Sequence, residues 1–186
     1  MIDVEVMARF FALLTIVANL VIIVSVLLFM TKGRTAYGTG FGSQIRQLFA
    51  QYGLWLAAAV AITCTLGSLY LSEVANFVPC RLCWYQRFAM YPLAIALPFL
   101  AYAGARKGVR WVVLPASIGA SISVYHYLIE RFPDLASSAS CDASAPCTVV
   151  WIWQFHFISI PFMALSGFLA IICLTLFADG QKEVVS

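Results

Sequence analysis

Long apolar stretches alternate with short polar segments along the chain. A membrane-spanning helix needs roughly 20 apolar residues, because the hydrocarbon core offers its backbone groups no other hydrogen-bond partner. Five stretches meet this requirement, at about 10–30, 52–71, 84–104, 111–129 and 157–177. Four prolines lie inside them, which membrane helices tolerate because neighbouring groups satisfy the freed carbonyls. The pattern predicts an all-α integral membrane protein with five transmembrane helices.

The segments at the N-terminal end need separate interpretation. The stretch 10–30 is about twice as long as a signal-peptide core, and Asp3 and Glu5 stand where a signal peptide is basic. We therefore expect a retained helix there. Residues 31–51 are expected to connect it to the second helix, and their glycine-rich run 38–42 is expected to be a flexible surface loop, since no strand precedes it as in a phosphate-binding loop.

Composition supports the membrane assignment. The chain is 63% hydrophobic and 10% charged, whereas globular domains are roughly 45–50% apolar and about 25% charged. So much apolar surface cannot all be buried in 186 residues, and the surplus must face lipid. The dispersed net charge of +3 gives no indication of a nucleic-acid partner, and six cysteines are too sparse for a secreted disulfide scaffold.

The distribution of basic residues predicts the orientation, because cytoplasmic loops carry an excess of Lys and Arg. One side holds seven: Lys32, Arg34, Arg46, Arg106, Lys107, Arg110 and Lys182. The other side holds four: Arg9, Arg81, Arg87 and Arg131. The first side is predicted to be cytoplasmic. The N-terminus and the segments 72–87 and 130–156 are then extracytoplasmic.

Four cysteines fall on the predicted extracytoplasmic side, where disulfides persist. Cys80 and Cys83 form a C-x-x-C motif, and Cys141 and Cys147 form a C-x5-C motif. The other two cysteines, Cys64 and Cys173, lie within the second and fifth stretches and are interpreted as small buried apolar side chains.

A C-x-x-C motif is either a redox dithiol or half of a zinc site. The C-x5-C spacing is loose for zinc, and the motif lies at a membrane surface rather than in a small folded module. Pro79 suits the first position of the third helix, which would put Cys80 and Cys83 in its opening turns. The positive end of a helix favours the reactive thiolate, so we predict two redox pairs.

Three further side chains are candidates for the same site. Arg87 follows Cys83 by four residues, hence on the same helix face, and either contacts lipid headgroups or stabilises a thiolate or the oxygen of a reduced acceptor. His126 and His156 lie at the depth of the cysteine pairs. Interfacial tryptophans and tyrosines such as Trp84 are explained by an aromatic belt.

Disulfide exchange conserves electrons, so net oxidation requires an acceptor. The sequence contains no haem-attachment motif, dinucleotide fingerprint or iron–sulfur cysteine run. By elimination, the acceptor best suited to a helix bundle in lipid is a membrane quinone.

The motifs carry a family resemblance. Pro79-Cys80-Arg-Leu-Cys83-Trp-Tyr-Gln-Arg87 resembles the Pro-Cys-x-x-Cys-x-Tyr-x-Arg segment of the DsbB family of disulfide-bond-forming membrane proteins. Tyr-His126-Tyr, the C-x5-C and the segment from Trp153 to Pro161 are most similar to the BdbC-type branch. The resemblance covers about residues 52–178. This chain differs from the family in two ways. The stretch 10–30 is additional to the family's four helices, and the loop between Cys141 and Cys147 is shorter than that of the enteric branch.

The resemblance implies a fold and an electron path. The fold is a four-helix thiol-oxidase membrane domain at 51–186, preceded by an extra transmembrane helix and a cytoplasmic loop at 1–50. A DsbA-like thioredoxin-fold thiol oxidase would deliver its thiolate to Cys141, with Cys147 resolving. Cys80–Cys83 would reoxidise that pair, and Cys83 would face a ubiquinone or menaquinone. Arg87 and His126 match family positions near the quinone head. The protein would be a multi-pass component of the cell membrane.

Two other functions compete with this one. The first is a metal-binding membrane protein that uses the four outward cysteines and His156 as ligands. The second is an enzyme similar to vitamin K epoxide reductases, whose active C-x-x-C instead lies near the end of the bundle's sequence. A purely structural anchor leaves the four clustered cysteines unexplained.

Overall fold

Each long apolar stretch of the sequence lies in an α-helix of the computed structural model, which describes residues 4–30, 41–104, 108–135 and 146–179. The helices are α1 (Val4–Met30), α2 (Phe41–Leu69), α3 (Arg81–Ala103), α4 (Val109–Arg131) and α5 (Ile160–Asp179). A π-helical turn, Tyr70–Val74, extends α2, and a 3-10 turn, Pro133–Leu135, follows α4. The predicted all-α class is confirmed.

Four helical segments within the described residues are long and apolar enough to cross a membrane. They are Val4–Leu28, Gln47–Val74, Trp111–Arg131 and Ile160–Ala178. Helix α3 is not one of them, because Arg81, Gln86 and Arg87 make its first turns polar. Its 23 residues still span about 35 Å at 1.5 Å per residue. The fifth crossing therefore stays a prediction.

Helices α2, α3, α4 and α5 form a bundle in which each packs against the next and α5 closes against α2. Helix α1 lies outside this ring, mainly against α5 and to a smaller extent against α2. This arrangement confirms the predicted four-helix bundle with one additional N-terminal helix. The interior is filled by large apolar side chains such as Phe168, Leu93 and Leu97.

Glycines allow some of these helices to approach closely, as is common in membrane bundles. A Cβ atom at Gly53 would lie 2.7 Å from the carbonyl oxygen of Leu174, on α5. A Cβ atom at Gly119 would lie 2.3 Å from the ring of Phe168. Helix α5 thus packs against the backbone of both α2 and α4.

Three predicted helix starts were wrong. Helix α1 begins at Val4 rather than at about 10. Helix α2 begins at Phe41, so residues 41–51 are helical rather than part of a connecting loop. The polar start of α2 is held by packing, since the rings of Phe49 and Phe177 lie 6.1 Å apart. Residues 31–40 lie outside the described part. Helix α5 begins at Ile160 rather than 157, because Phe155 and His156 adopt positive φ in a turn.

Candidate functional site

The C-x-x-C motif forms the N-terminal cap of α3. Cys80 has an extended conformation, and its Sγ accepts a hydrogen bond from the backbone N–H of Cys83 at 3.3 Å. The sulfur thereby satisfies one of the N–H groups that every helix leaves without a partner at its start. Pro79 was predicted at the first helical position. It lies one residue before the cap, because the Cys80 sulfur takes the capping role and the helix begins at Arg81.

The two sulfurs of the motif lie 2.9 Å apart. Closing this gap to the roughly 2.05 Å of a disulfide bond needs only a small side-chain rotation. Cys80 is 4% exposed, whereas Cys83 is only partly buried. The pair is therefore arranged for making and breaking a disulfide, and Cys83 is the member of the pair that lines the cavity described below.

The surroundings of Cys80 and Cys83 shift the pKa values of the two thiols in opposite directions. The hydrogen bond that Cys83 accepts from the Cys80 thiol lowers the pKa of Cys83, with the positive charge of Arg87 contributing in the same direction and burial opposing. The same hydrogen bond, together with burial, raises the pKa of Cys80 to about 12, although His126 acts to lower it. Of the two thiols, Cys83 therefore has the lower pKa and loses its proton more readily.

His126 approaches the motif from α4. Its ring is 3% exposed, and its Nε2 lies 3.6 Å from Cys80 Sγ. The Nδ1 atom is buried and makes no hydrogen bond within the described residues. The sequence predicted His126 near a quinone head. The structure brings it to the sulfur of Cys80, and it does not line the cavity described below.

Cys147 joins the same cluster from the segment before α5. It is 1% exposed and packs with Cys80, Leu82 and Ile129, and Cys83 lies against this group. The structure therefore brings together three of the four cysteines predicted to form the site. Cys141 lies outside the described residues.

Arg87 is held by α2. Its Nε donates to the hydroxyl of Ser68 and its Nη2 to the carbonyl oxygen of Ser68, both at 2.9 Å. The indole of Trp84 lies 5.2 Å below the guanidinium. No sequence motif marks Ser68, because a serine 19 positions away becomes a partner of Arg87 only when α2 and α3 pack.

A cavity of about 550 Å³ lies beside the motif, between α1, α2, α3 and α5. Cys83, Arg87, Gln86 and Tyr91 line it from α3. Most of the remaining lining is apolar. Cys83 and the fixed positive charge of Arg87 therefore border a space that is suited to an apolar ligand.

The other predicted side chains have peripheral positions. His156 is exposed, and its carbonyl oxygen accepts a hydrogen bond from Arg131 at 3.3 Å. Trp151 is half-exposed and stacks on Phe77 with ring centroids 4.9 Å apart, and both rings line the cavity. His156 and Trp151 lie outside the sulfur cluster.

Cys64 and Cys173 lie within α2 and α5, as predicted. Cys64 packs against Gly167 of α5, where a Cβ atom would meet its sulfur at 2.6 Å. Both cysteines are partly rather than fully buried, and Cys64 also lines the cavity.

Comparisons with known proteins agree with this site. The family model described as "Disulfide bond formation protein DsbB" matches residues 50–178. "Disulfide bond formation protein C" of Bacillus subtilis is 41% identical over 132 residues, which are 71% of this chain and 94% of the relative. "Probable disulfide formation protein C 1" of Bacillus anthracis is 43% identical over 133 residues, 70% of this chain and 91% of the relative.

A relative of lower sequence identity carries a similar name. "Probable disulfide formation protein" of Coxiella burnetii is 37% identical over 134 residues, 72% of this chain and 89% of the relative. No solved structure matches the chain. The family match includes Cys80, Cys83, Cys141 and Cys147 and begins after α1. The chain therefore belongs to the DsbB family of disulfide bond formation proteins, and its similarity to the protein C relatives confirms the predicted branch.

Proposed function

We propose that this chain reoxidises a DsbA-like thioredoxin-fold thiol oxidase and passes the electrons through its two cysteine pairs to a membrane quinone. Membership of the DsbB family supports a thiol oxidoreductase role. In this proposal the cysteine pairs face the extracytoplasmic side of the cell membrane. Residues 51–186 act as the thiol-oxidase domain, and residues 1–50 add a transmembrane helix and a cytoplasmic loop before it.

The relay consists of two disulfide exchanges. The two thiols of the partner become a disulfide as the Cys141–Cys147 disulfide is reduced to a dithiol. The Cys80–Cys83 disulfide then reoxidises Cys141 and Cys147 and becomes a dithiol itself. Each turnover moves two electrons and two protons. Cys147 lies in one buried cluster with Cys80 and interacts electrostatically with Cys83, which supports the second exchange.

The acid–base properties of the motif suit the final step. Cys83, whose pKa is lowered, supplies the thiolate next to the cavity. Cys80 keeps its proton until oxidation, and His126 Nε2 lies where it can accept that proton. Because a buried imidazole holds Cys80 in place, we assign His126 to the thiol rather than to the acceptor.

The cavity fits a quinone. A quinone supplies a two-electron, two-proton acceptor that is soluble in lipid. The apolar lining suits its ring and tail, and Tyr91 contributes a buried hydroxyl without a hydrogen-bond partner among the described residues. Arg87 adds a permanent charge beside the sulfur. The proposal depends most on one observation, that Cys83 and Arg87 line the same apolar cavity.

Thiol-dependent quinone reduction by the purified full-length protein tests the proposal. Dithiothreitol serves as electron donor and a short-tailed ubiquinone or menaquinone as acceptor, with the protein-free rate subtracted. We expect turnover in the wild type and in Cys173→Ala, whose residue does not line the cavity, and none in Cys83→Ser. Absence of quinone reduction by the wild type with either acceptor would refute the acceptor assignment.

A metal-binding function is the second candidate, because the ligand atoms of Cys80, Cys83 and His126 all lie within 4.8 Å of one another. Two sulfurs and an imidazole form a ligand set that zinc accepts. His156, a predicted ligand of such a site, lies outside this cluster. Stoichiometric zinc that survives chelation and is lost on alkylation, in a protein without quinone reduction, would favour the metal function.

A further inference from the structure

We infer that α1 forms one wall of the binding site for the isoprenoid tail of the quinone and makes the protein selective for long-tailed quinones. This inference rests on the proposed function, since it concerns the same electron acceptor. It assigns a role to a helix that lies outside the family match at 50–178.

One face of α1 lines the cavity. Its contributing residues recur at the three- and four-residue spacing of a single helix face. They are Phe11, Leu14, Thr15, Val17, Ala18 and Val21. A four-helix bundle of α2–α5 alone would leave this side of the cavity open to lipid. Helix α1 therefore changes an open groove into a walled cavity.

Two contacts hold α1 in this position. Asn19 Nδ2 donates to the hydroxyl of Ser166 on α5 at 2.9 Å, and polar contacts of this kind hold membrane helices together. The ring of Phe11 lies on the backbone of α2, where a Cβ atom at Gly67 would be 3.0 Å from it. The wall is therefore fixed to α2 and α5, two of the three other helices that border the cavity.

The cavity has a polar end and an apolar end. Cys83, Arg87 and Ser68 line it near the start of α3. Its lining on α2 extends from Ser72 to Leu56, a distance of about 24 Å along the helix axis. At the far end, Val21 of α1 meets this apolar part. The arrangement suits a ligand with one polar head and one long apolar tail.

A quinone fits this description better than a phospholipid. The volume of about 550 Å³ holds a ring and the first isoprene units, but not two acyl chains with their headgroup. The polar end also contains the sulfur of Cys83. A quinone head bound there can accept electrons from this sulfur, whereas a phospholipid headgroup cannot. Occupation by a phospholipid is the alternative that the experiments below distinguish.

The first experiment compares acceptors that differ only in tail length. The purified full-length protein is assayed with dithiothreitol and ubiquinones of one or four isoprene units. Ala18→Phe fills the cavity from the α1 side, whereas the matched control Leu20→Phe places the same ring on the exposed side of α1. We expect Ala18→Phe to raise the KM for the longer ubiquinone about tenfold, the equivalent of roughly two buried CH₂ groups.

In the same variant, the KM for the shorter ubiquinone should stay near that of the wild type, and Leu20→Phe should affect neither. Equal KM values for the longer ubiquinone in all three proteins would overturn the inference while leaving the proposed function intact. Failure of the wild type to reduce ubiquinone of either tail length, and menaquinone as well, would overturn both.

The second experiment uses the unmodified protein and does not depend on the folding of a variant. A ubiquinone with a photoreactive group on its second isoprene unit is crosslinked in detergent and mapped by mass spectrometry. Crosslinks to residues 14–21 of α1, competed by unlabelled long-tailed ubiquinone, support the inference. Crosslinks confined to α2 and α5 would overturn it. A co-purified phospholipid that blocks crosslinking and is not displaced by ubiquinone would do the same.

Discussion

Arg87 on α3 binds both polar groups of Ser68 on α2, with its Nε on the hydroxyl and its Nη2 on the backbone carbonyl oxygen, each at 2.9 Å. The indole of Trp84 covers one face of the guanidinium. An arginine anchored in this way does not extend to the lipid headgroups as an interfacial arginine does. Its charge is instead fixed beside Cys83, where it contributes to lowering the thiol pKa.

The anchoring of Arg87 leads to the first prediction. Arg87→Ala should raise the KM for quinone by about tenfold to a hundredfold, the equivalent of roughly 1.5–3 kcal/mol for a hydrogen bond to a charged group. Arg87→Lys keeps the charge without the planar fork and should be intermediate. Ser68→Ala removes one of the two anchoring bonds and should reproduce part of the defect. Steady-state kinetics with varied quinone measures all three.

Two controls separate the acceptor step from general damage. Ser121→Ala removes a hydroxyl from an exposed position of α4 and should leave the kinetics unchanged. Reduction of the Cys141–Cys147 pair in a single turnover should proceed normally in every Arg87 variant. An unchanged quinone KM in Arg87→Ala would remove Arg87 from the site.

The second prediction concerns the pH dependence of alkylation. Because the pKa of Cys83 is lowered in the folded protein, its thiolate forms at a lower pH than that of an ordinary thiol, about 8.5. Alkylation of Cys83 in the reduced protein should therefore have a lower midpoint than alkylation of the same cysteine in the denatured protein. Cys80, whose pKa is about 12, should remain almost unreactive across the same pH range. Mass spectrometry after timed iodoacetamide treatment measures both sites.

Substitutions should shift this midpoint in opposite directions. Cys80→Ala removes the main cause of the lowering, the hydrogen bond to Cys83, so the midpoint for Cys83 should rise. Cys147→Ala removes a nearby group that raises the pKa of Cys83, so the midpoint should fall. A midpoint that is the same in both variants would contradict the assignment of Cys83 as the thiolate.

Hydropathy was sufficient to predict the helices, because each must satisfy its own backbone in lipid. It located the ends less well where local chemistry decides them. The start of α3 depends on the sulfur of Cys80 acting as a cap, which the preference of proline for a first helical turn did not indicate. The start of α2 depends on Phe49 packing against Phe177, more than a hundred residues away.

The motif residues of the site were predictable, and their tertiary contacts were not. The C-x-x-C spacing identified Cys80 and Cys83 because both partners lie in one helical turn. His126 is 46 positions from Cys80 in sequence, and its sulfur contact exists only because α3 and α4 are neighbours. Neither Ser68 nor the face of α1 that lines the cavity carries a motif of its own.

The third prediction concerns the packing of α2 against α5. Gly167→Ala would place a Cβ atom 2.6 Å from the sulfur of Cys64, so this variant should lose about 1–3 kcal/mol of stability. Adding Cys64→Ala removes the clash and should restore most of that loss. Thermal denaturation of the purified single and double variants measures the loss of stability and its recovery. If the stability losses of Gly167→Ala and Cys64→Ala simply add in the double variant, the contact between residues 167 and 64 does not limit how closely α2 and α5 approach.

The fourth prediction tests the orientation derived from basic residues. Asp134, after α4, and Ala103, at the end of α3, are both exposed and lie at opposite ends of the bundle. In a background with all six native cysteines replaced by alanine, a membrane-impermeant maleimide should label Asp134→Cys in intact cells. Ala103→Cys should be labelled only after the membrane is opened. The reverse result would place Cys80 and Cys83 on the cytoplasmic side, where glutathione and thioredoxin keep thiols reduced, and would remove the main physical reason for a disulfide relay there.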